Sequence, residues 1–487
     1  MHKIEYLTAK NNSLSCKIDN ILLHSAYNPE NEAKNVVETI HLSFKPDYFF
    51  IIEPGINYLY KLIKQKFPDC KICILRFTKD FDDYNYNADK NFYILDTSAN
   101  SFETDLINFF HDEGILKTHF IQWQPSGKIF KQETNFAWET IKKVIQYSQT
   151  ILNTNGFFAK RWLKNSISFL KFSKNFSTIK KGHCDILVTA SGISLNSSLN
   201  DIKKIRKEIF LIAVSSSLKP LIYAGILPDM VISTDGGFWA KKHLSPVLLN
   251  KALPVALSPE SNCPKKILQE NPIISLCYSD GIGSTLVKKL IPETIIAERN
   301  GTVSGTAIEF ALSITDGNVY VCGLDLSGSP SFQHTNPNEI ETFNSCFDNK
   351  INNVETRQTI SRFNSNSLKV YENWFSKNSR KFNNRVIRIS NGFNYQNKLG
   401  EIKDIDFSKI KIKTNSLKPE ITKPFMLKIN IQQIKEEITK FSENDDFIKE
   451  CFPVECLTAS RTVDSVEREN LNIKLKTDTK RLIESLF

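Results

Sequence analysis

The sequence has no run approaching the roughly 18 consecutive apolar residues that a membrane-crossing helix needs, so no bilayer span is expected. The opening Met1-His-Lys-Ile-Glu-Tyr6 is too polar to read as a signal peptide. Ten cysteines are spread from Cys16 to Cys456, and only Cys70 and Cys73 form a CxxC, with no second pair at zinc spacing. Cys73 also lies in the apolar run Lys71-Ile-Cys-Ile-Leu75, which reads as a strand and places it in a core. No basic run carries interleaved aromatics, so the net charge of +10 reads as solvated surface in preference to a nucleic-acid groove. Neither GxGxxG nor a Walker A loop occurs, which removes the standard dinucleotide and P-loop fingerprints. Free cysteines and the polar start together point to a cytoplasmic protein working on soluble partners.

What is present suffices for large cores: 41% apolar residues and 34 phenylalanines in 487 residues. That length fits roughly two to four domains. Residues 1–175 alternate short apolar runs (18–23, 48–52, 71–76, 92–95) with helical spacings (29–44, 56–67, 102–110), which predicts a smaller α/β domain. A helical bridge is expected from 130 to 172. Residues 176–404 alternate more clearly, with strands expected at 185–189, 209–214, 229–234, 254–258, 273–277, 318–323 and 385–390. Helices are expected between them at 195–207, 216–224, 239–250 and 307–315, and again at 366–379, so the fold class is α/β with a Rossmann-like parallel sheet. The segment 326–360 is polar and irregular, long enough for a mobile lid. Residues 405–487 have helical spacing at 430–441 and 462–487, a tail that packs on the body or takes a partner helix.

Twelve of the 18 glycines fall between Gly182 and Gly328, where strands hand over to helices. Gly192-Ile-Ser194 closes the first such turn; Ser194 could cap the helix or face a phosphate, since both need the same hydroxyl placement. Asp235, ahead of Gly236-Gly237, is placed to hold a ribose hydroxyl or a divalent ion, or to cap the next helix. Asn300, Thr302, Ser304 and Thr306 precede a helix and could converge on an anion, while Thr306-Ala-Ile-Glu309 has capping-box spacing. Arg299 beside them could balance phosphate or carboxylate charge. Asp325 follows an apolar strand and His334 lies nine residues on; an imidazole suits general-base work near neutral pH. Arg385 and Arg388 flank Val386-Ile387 and read as exposed strand positions.

Taken in order, Thr189-Ala-Ser-Gly-Ile-Ser-Leu195, Ile212-Ala-Val-Ser-Ser-Ser-Leu-Lys-Pro220, Ala224-Gly-Ile-Leu-Pro-Asp-Met-Val-Ile-Ser-Thr-Asp235, Asn300-Gly-Thr-Val-Ser-Gly-Thr-Ala307 and Gly323-Leu-Asp-Leu326 resemble the motility accessory factors, bacterial flagellin glycosyltransferases. The likeness covers about 182–335 by motif and 1–175 by architecture. It implies a sialyltransferase-like central domain that moves a nonulosonic acid from a CMP donor to Ser or Thr of flagellin. The implied site is Gly192, Ser194, Asp235, Asn300, Thr302 and Ser304 toward the donor, with His334, Asp325 and Asp235 in catalysis. Asp235 would also recruit Mg²⁺ or Mn²⁺ if a metal takes part. The same domain occurs in an archaeal 6-hydroxymethylpterin pyrophosphokinase, so ATP-dependent pyrophosphoryl transfer is an alternative, as is a non-catalytic flagellin-binding factor. Two departures stand out: Ala190 replaces the first glycine of the usual Gly-x-Gly-x-Ser-Leu, and Ile52-Glu-Pro-Gly-Ile56 replaces a glycine-rich turn. The second implies an N-terminal domain that binds no nucleotide.

Overall fold

A computed structural model describes residues 3–85, 92–96, 101–111, 113–326, 332–354, 366–382, 384–395, 397–413 and 415–487. The chain divides into two compact units, Met1–Phe157 with Ile448–Arg481 and Phe158–Phe447 with Leu482–Phe487.

The larger unit is built on eight strands: β1 (Ile186–Thr189), β2 (Phe210–Val214), β3 (Met230–Ser233), β4 (Val255–Leu257), β5 (Ile273–Cys277), β6 (Val319–Cys322), β7 (Val386–Ile389) and β8 (Lys403–Ile405). They lie in the order β8-β7-β6-β1-β2-β3-β4-β5, all neighbours parallel. Three short strands (Asn175–Phe176, Ile295–Ile296, Phe425–Met426) extend the β5 end and complete an 11-stranded sheet. Parallel strands carry helices on both faces, which is why every position of β1 to β6 is buried and the strands are mostly apolar, not alternating. The parallel sheet expected from the sequence is present.

Chain direction decides where a ligand can sit. From β1 the chain steps outward through β2, β3, β4 and β5, then returns along helix Val303–Ile314 to enter β6 on the other side of β1. That helix is apolar through Ala307, Ile308, Ala311 and Ile314 because it crosses the middle of the sheet and joins its core. The strand order therefore reverses between β1 and β6. In open parallel sheets the crevice beyond the strand C-termini at such a reversal is the place for a ligand.

The smaller unit holds a parallel sheet in the order Phe92–Asp96, Lys71–Arg76, Tyr48–Ile52, Thr118–Gln122. The single strand expected over 18–23 is instead a hairpin of Leu14–Ile18 and Ile21–Leu22, because Asp19 (φ 48°) and Asn20 (φ 65°) turn the chain. The helix expected to reach 44 ends at Glu38, where the Thr39 hydroxyl donates to the Val36 carbonyl and closes the last turn. After Tyr48–Ile52, where a phosphate loop would turn its N–H groups outward, Gly55 N and Phe77 N donate to the fully buried Glu53 carboxylate. Arg76 completes the cluster at 2.8 Å. Burial pushes the Glu53 carboxyl upward, and the Arg76 charge pulls it back.

The C-terminal region is helical at Ile431–Ser442 and Ser465–Glu484, close to the expected spacings, and also at Asp445–Cys451 and Pro453–Arg461, which were not expected. Among the described residues no helix is long and apolar enough to cross a membrane.

Candidate functional site

At the β1–β6 reversal the two strand-end loops are locked together. A Cβ on Gly192 would stand 2.5 Å from the Asp325 carboxylate and 2.6 Å from the Gly323 carbonyl, so only glycine lets this turn pass. The Ser194 N–H donates to Asp325 Oδ2 at 3.0 Å, and the Ser194 hydroxyl donates to Oδ1. Helix Leu195–Ile205 thus has an anion at its N-terminus, and the anion is the protein's own. Ser194 neither caps the helix nor stands open to a ligand: it is 3% exposed and makes no capping bond. Gly192 and Ser194 therefore position Asp325, and the phosphate contact expected of them has no free donor in this arrangement. Replacing Gly192 with alanine is expected to force Asp325 aside and cost about 1–3 kcal/mol, read from thermal or urea unfolding.

Asp325 is 6% exposed. Burial is the largest influence and raises its carboxyl above the ordinary range, while the Ser194 bonds and the Arg388 charge pull the other way. A carboxyl shifted upward holds its proton better in the fold than in the unfolded chain. Its contribution to stability is therefore complete below about pH 4 and is lost as the pH rises through the folded value.

Behind this pair stands Arg388, which the sequence placed at an exposed position and which is fully buried. Its N–H donors reach Asp404 through Nε (2.6 Å) and Nη2 (2.9 Å), the carbonyls of Leu324 and Asn397, and Asn397 Oδ1. All five donors of a guanidinium are thereby used. Its planar face lies 3.6 Å from the Tyr395 ring. The Tyr395 hydroxyl is in turn 3.1 Å from Ser194 Oγ and 2.9 Å from the Ile389 carbonyl. Arg385 is half-buried, its Nη2 donating to the Thr315 and Gly317 carbonyls.

His334 is brought to the same strand ends. The Thr335 N–H donates to the Ser191 carbonyl at 2.7 Å, its hydroxyl donates to the Gly192 carbonyl, and Asn338 Nδ2 donates to the Ser216 carbonyl at 3.1 Å. This part of the expected 326–360 lid is docked onto the β1 and β2 loops; residues 327–331 and 355–360 lie outside the described residues. His334 Nδ1 is 3.1 Å from Glu341 Oε1, and Glu341 is 2% exposed. With Nδ1 donating to a carboxylate, the lone pair of a neutral ring sits on Nε2, the atom a general base uses. Sequence reading missed Glu341. Its signal was a carboxylate two residues past the helix start, seven residues from the histidine.

Asp235, exposed beyond β3, accepts the Gly237 N–H at 2.8 Å instead of capping the helix that begins at Phe238. Gly236 is bare because Trp162 fills its Cβ position, 2.7 Å away. Tyr371 was not foreseen either; its ring lies 3.5 Å from where Gly301 would carry a Cβ. Burial raises the Tyr371 hydroxyl and the Asp235 charge adds to it, so Asp235, Tyr371 and the 300–304 loop share one neighbourhood. In that loop Thr302 caps helix Val303–Ile314, its hydroxyl accepting from Gly305 N at 2.8 Å; the expected Thr306 box is displaced by one turn. Asn300 Oδ1 accepts from Thr302 N and the Thr306 hydroxyl, and Ser304 is half-exposed in the first turn. Arg299 is bidentate on Glu260 at 2.7 Å, so its charge is already balanced. Burial opposes its ionisation, but Glu260 outweighs burial and holds it above its ordinary value. Among the described residues no three His, Cys, Asp or Glu side chains stand together as a metal-ligand set.

Known proteins resemble this chain in sequence and in fold. Residues 160–330 match the family model described as 6-hydroxymethylpterin diphosphokinase MptE-like. A protein of Treponema pallidum (strain Nichols), described as uncharacterized, is 31% identical over 281 residues, 58% of this chain; the match spans 62% of that relative's length. The MAf glycosyltransferase of Magnetospirillum magneticum AMB-1 shares the fold with a TM-score of 0.63 at 10% identity, over 99% of this chain and 91% of its own. Both likenesses read from the strand-end motifs are thus borne out as resemblances: residues 160–330 are similar to MptE-like domains, and the chain shares the fold of the Magnetospirillum MAf glycosyltransferase.

Proposed function

We propose that this chain is a glycosyltransferase that moves a nonulosonic, sialic-acid-like sugar from a CMP donor to a Ser or Thr hydroxyl of flagellin. The observation that carries the reading is the docking of the His334–Glu341 pair onto the β1 and β2 loops at the sheet's reversal point. The donor phosphate is assigned to Asn300, Thr302, Ser304 and the N-terminus of helix Val303–Ile314, where N–H groups and hydroxyls favour an anion. As the bond from sugar carbon to phosphate oxygen breaks, its electron pair leaves with CMP. The acceptor oxygen bonds to the sugar carbon and its proton passes to His334 Nε2. Glu341 holds the ring and stabilises the charge it gains. Gly192, Ser194 and Asp325 form the floor that positions these loops, and Asp235 holds a hydroxyl of the ribose or sugar.

The family description keeps one other reading in view, pyrophosphoryl transfer from ATP. That chemistry needs divalent cations on the phosphates. Calorimetry with CMP and with ATP separates the two. CMP is expected to bind wild type, and Thr302→Ala to weaken it by about tenfold, the worth of one charge-assisted hydrogen bond. Asp235→Ala is expected to abolish transfer, and wild-type turnover to survive a strong chelator. Tight magnesium-dependent ATP binding with no CMP binding would overturn the glycosyl reading.

A further inference from the structure

Helix Glu339–Ser345 has two unlike sides. Its carboxylates turn inward: Glu341 to His334, and Glu339 to His243 Nδ1 at 2.7 Å, with the Lys219 ammonium 3.9 Å from the same carboxylate. Its other side carries rings outward. Phe343 is 52% exposed, and Phe347, two residues past the helix end, 66%. Phe343 meets Trp239 edge-on at 5.4 Å, and Trp239 meets Phe238, itself 58% exposed, at 5.3 Å. Phe343 and Phe347 are 5.3 Å apart. Four rings therefore make one continuous apolar surface on the outside of the larger unit. Contiguous exposed patches of this kind mark a binding surface.

Lysines outnumber carboxylates around it, the carboxylates being Asp235, three residues before Phe238, and Asp348. Lys241 and Lys242 are exposed on the helix that carries Phe238 and Trp239, and the Lys242 ammonium lies 5.4 Å over the Phe238 ring. Just beyond Phe347, the exposed Lys350 and the half-buried Asp348 offset one another. We propose that this aromatic, lysine-flanked face attaches the protein to an anionic lipid surface. Exposures above half mean that the phenylalanines project and do not line a groove, which suits insertion into the soft headgroup layer better than clasping a peptide. Aromatic rings favour that layer, and lysines beside them are drawn to anionic headgroups. Two copies meeting through this face would bring Lys241 and Lys242 against their own counterparts, which disfavours self-association.

Co-sedimentation of the full chain with vesicles tests the proposal. Wild type is expected to pellet with vesicles of equal parts phosphatidylglycerol and phosphatidylcholine, to stay in solution with phosphatidylcholine alone, and to detach as salt is raised. The double change Phe343→Ser with Phe347→Ser, and separately Lys241→Glu with Lys242→Glu, should each lower the bound fraction by about tenfold or more. All four positions are exposed or half-exposed, so both variants should melt like wild type; a matched melting curve is the control. Equal pelleting with both vesicles, no pelleting with either, or unchanged pelleting of both double variants overturns the proposal. So does a wild-type dimer that the Phe343→Ser, Phe347→Ser variant dissolves, or capture by soluble polyglutamate without capture by vesicles.

Discussion

Arg388→Met should unfold the larger unit well before wild type, with a loss of about 3–5 kcal/mol, the usual cost of breaking a buried ion pair from one side. The arginine is fully buried and serves two loops at once, through the carbonyls of Leu324 and Asn397 and the side chains of Asn397 and Asp404. Asp404 is about one-third exposed (35%) and can recover water, which places the expectation toward the lower end. Asn397 cannot do so readily at 7% exposure, and its Oδ1 loses a 2.8 Å partner. Lysine should not rescue the site, because one ammonium cannot reproduce a five-donor fork stacked on Tyr395. Urea unfolding of Arg388→Met and Arg388→Lys measures both effects. A midpoint unchanged in either variant would mean that the loops hold without the guanidinium.

His334→Asn is expected to leave CMP affinity close to wild type while slowing sugar transfer by roughly 10²–10⁴, the range for loss of a general base. Asparagine can still donate to Glu341 and keep the loop in place, so a structural role alone would leave the rate nearly intact. Glu341→Gln should slow transfer too, by less, since it loosens the ring and withdraws the charge that stabilises the imidazolium. Single-turnover transfer beside CMP calorimetry separates binding from chemistry. Full activity in His334→Asn would move the base elsewhere.

Much of the larger unit was legible because parallel strands buried on both faces appear as mostly apolar runs without alternation, and β1 through β7 fall within the expected stretches. The β1–β6 reversal was not legible: nothing local to Val319–Cys322 says which edge of which strand it joins. The same blindness explains the site. Ser194 and Asp325 are 131 positions apart, so a loop that reads as an open anion cradle is already filled by a side chain the local sequence does not show. Arg388 reads as exposed because its partners, Asn397 and Asp404, belong to chain that follows the strand. Short-range features were misjudged for a different reason. Asp19 and Asn20 accept a left-handed backbone, and that choice splits an apparently continuous strand.

The row of atoms from Asp325 through Ser194 and Tyr395 to the Ile389 carbonyl has a direction set by counting hydrogens. The Ser194 hydroxyl spends its single hydrogen on Asp325, to which the Ser194 N–H also donates. The Tyr395 hydroxyl has one hydrogen and two oxygens within reach, Ser194 Oγ at 3.1 Å and the Ile389 carbonyl at 2.9 Å. Every hydrogen in the row is therefore committed inward, toward the carboxylate or the strand. A molecule arriving at this turn would find acceptors already served and no hydroxyl with a hydrogen to spare.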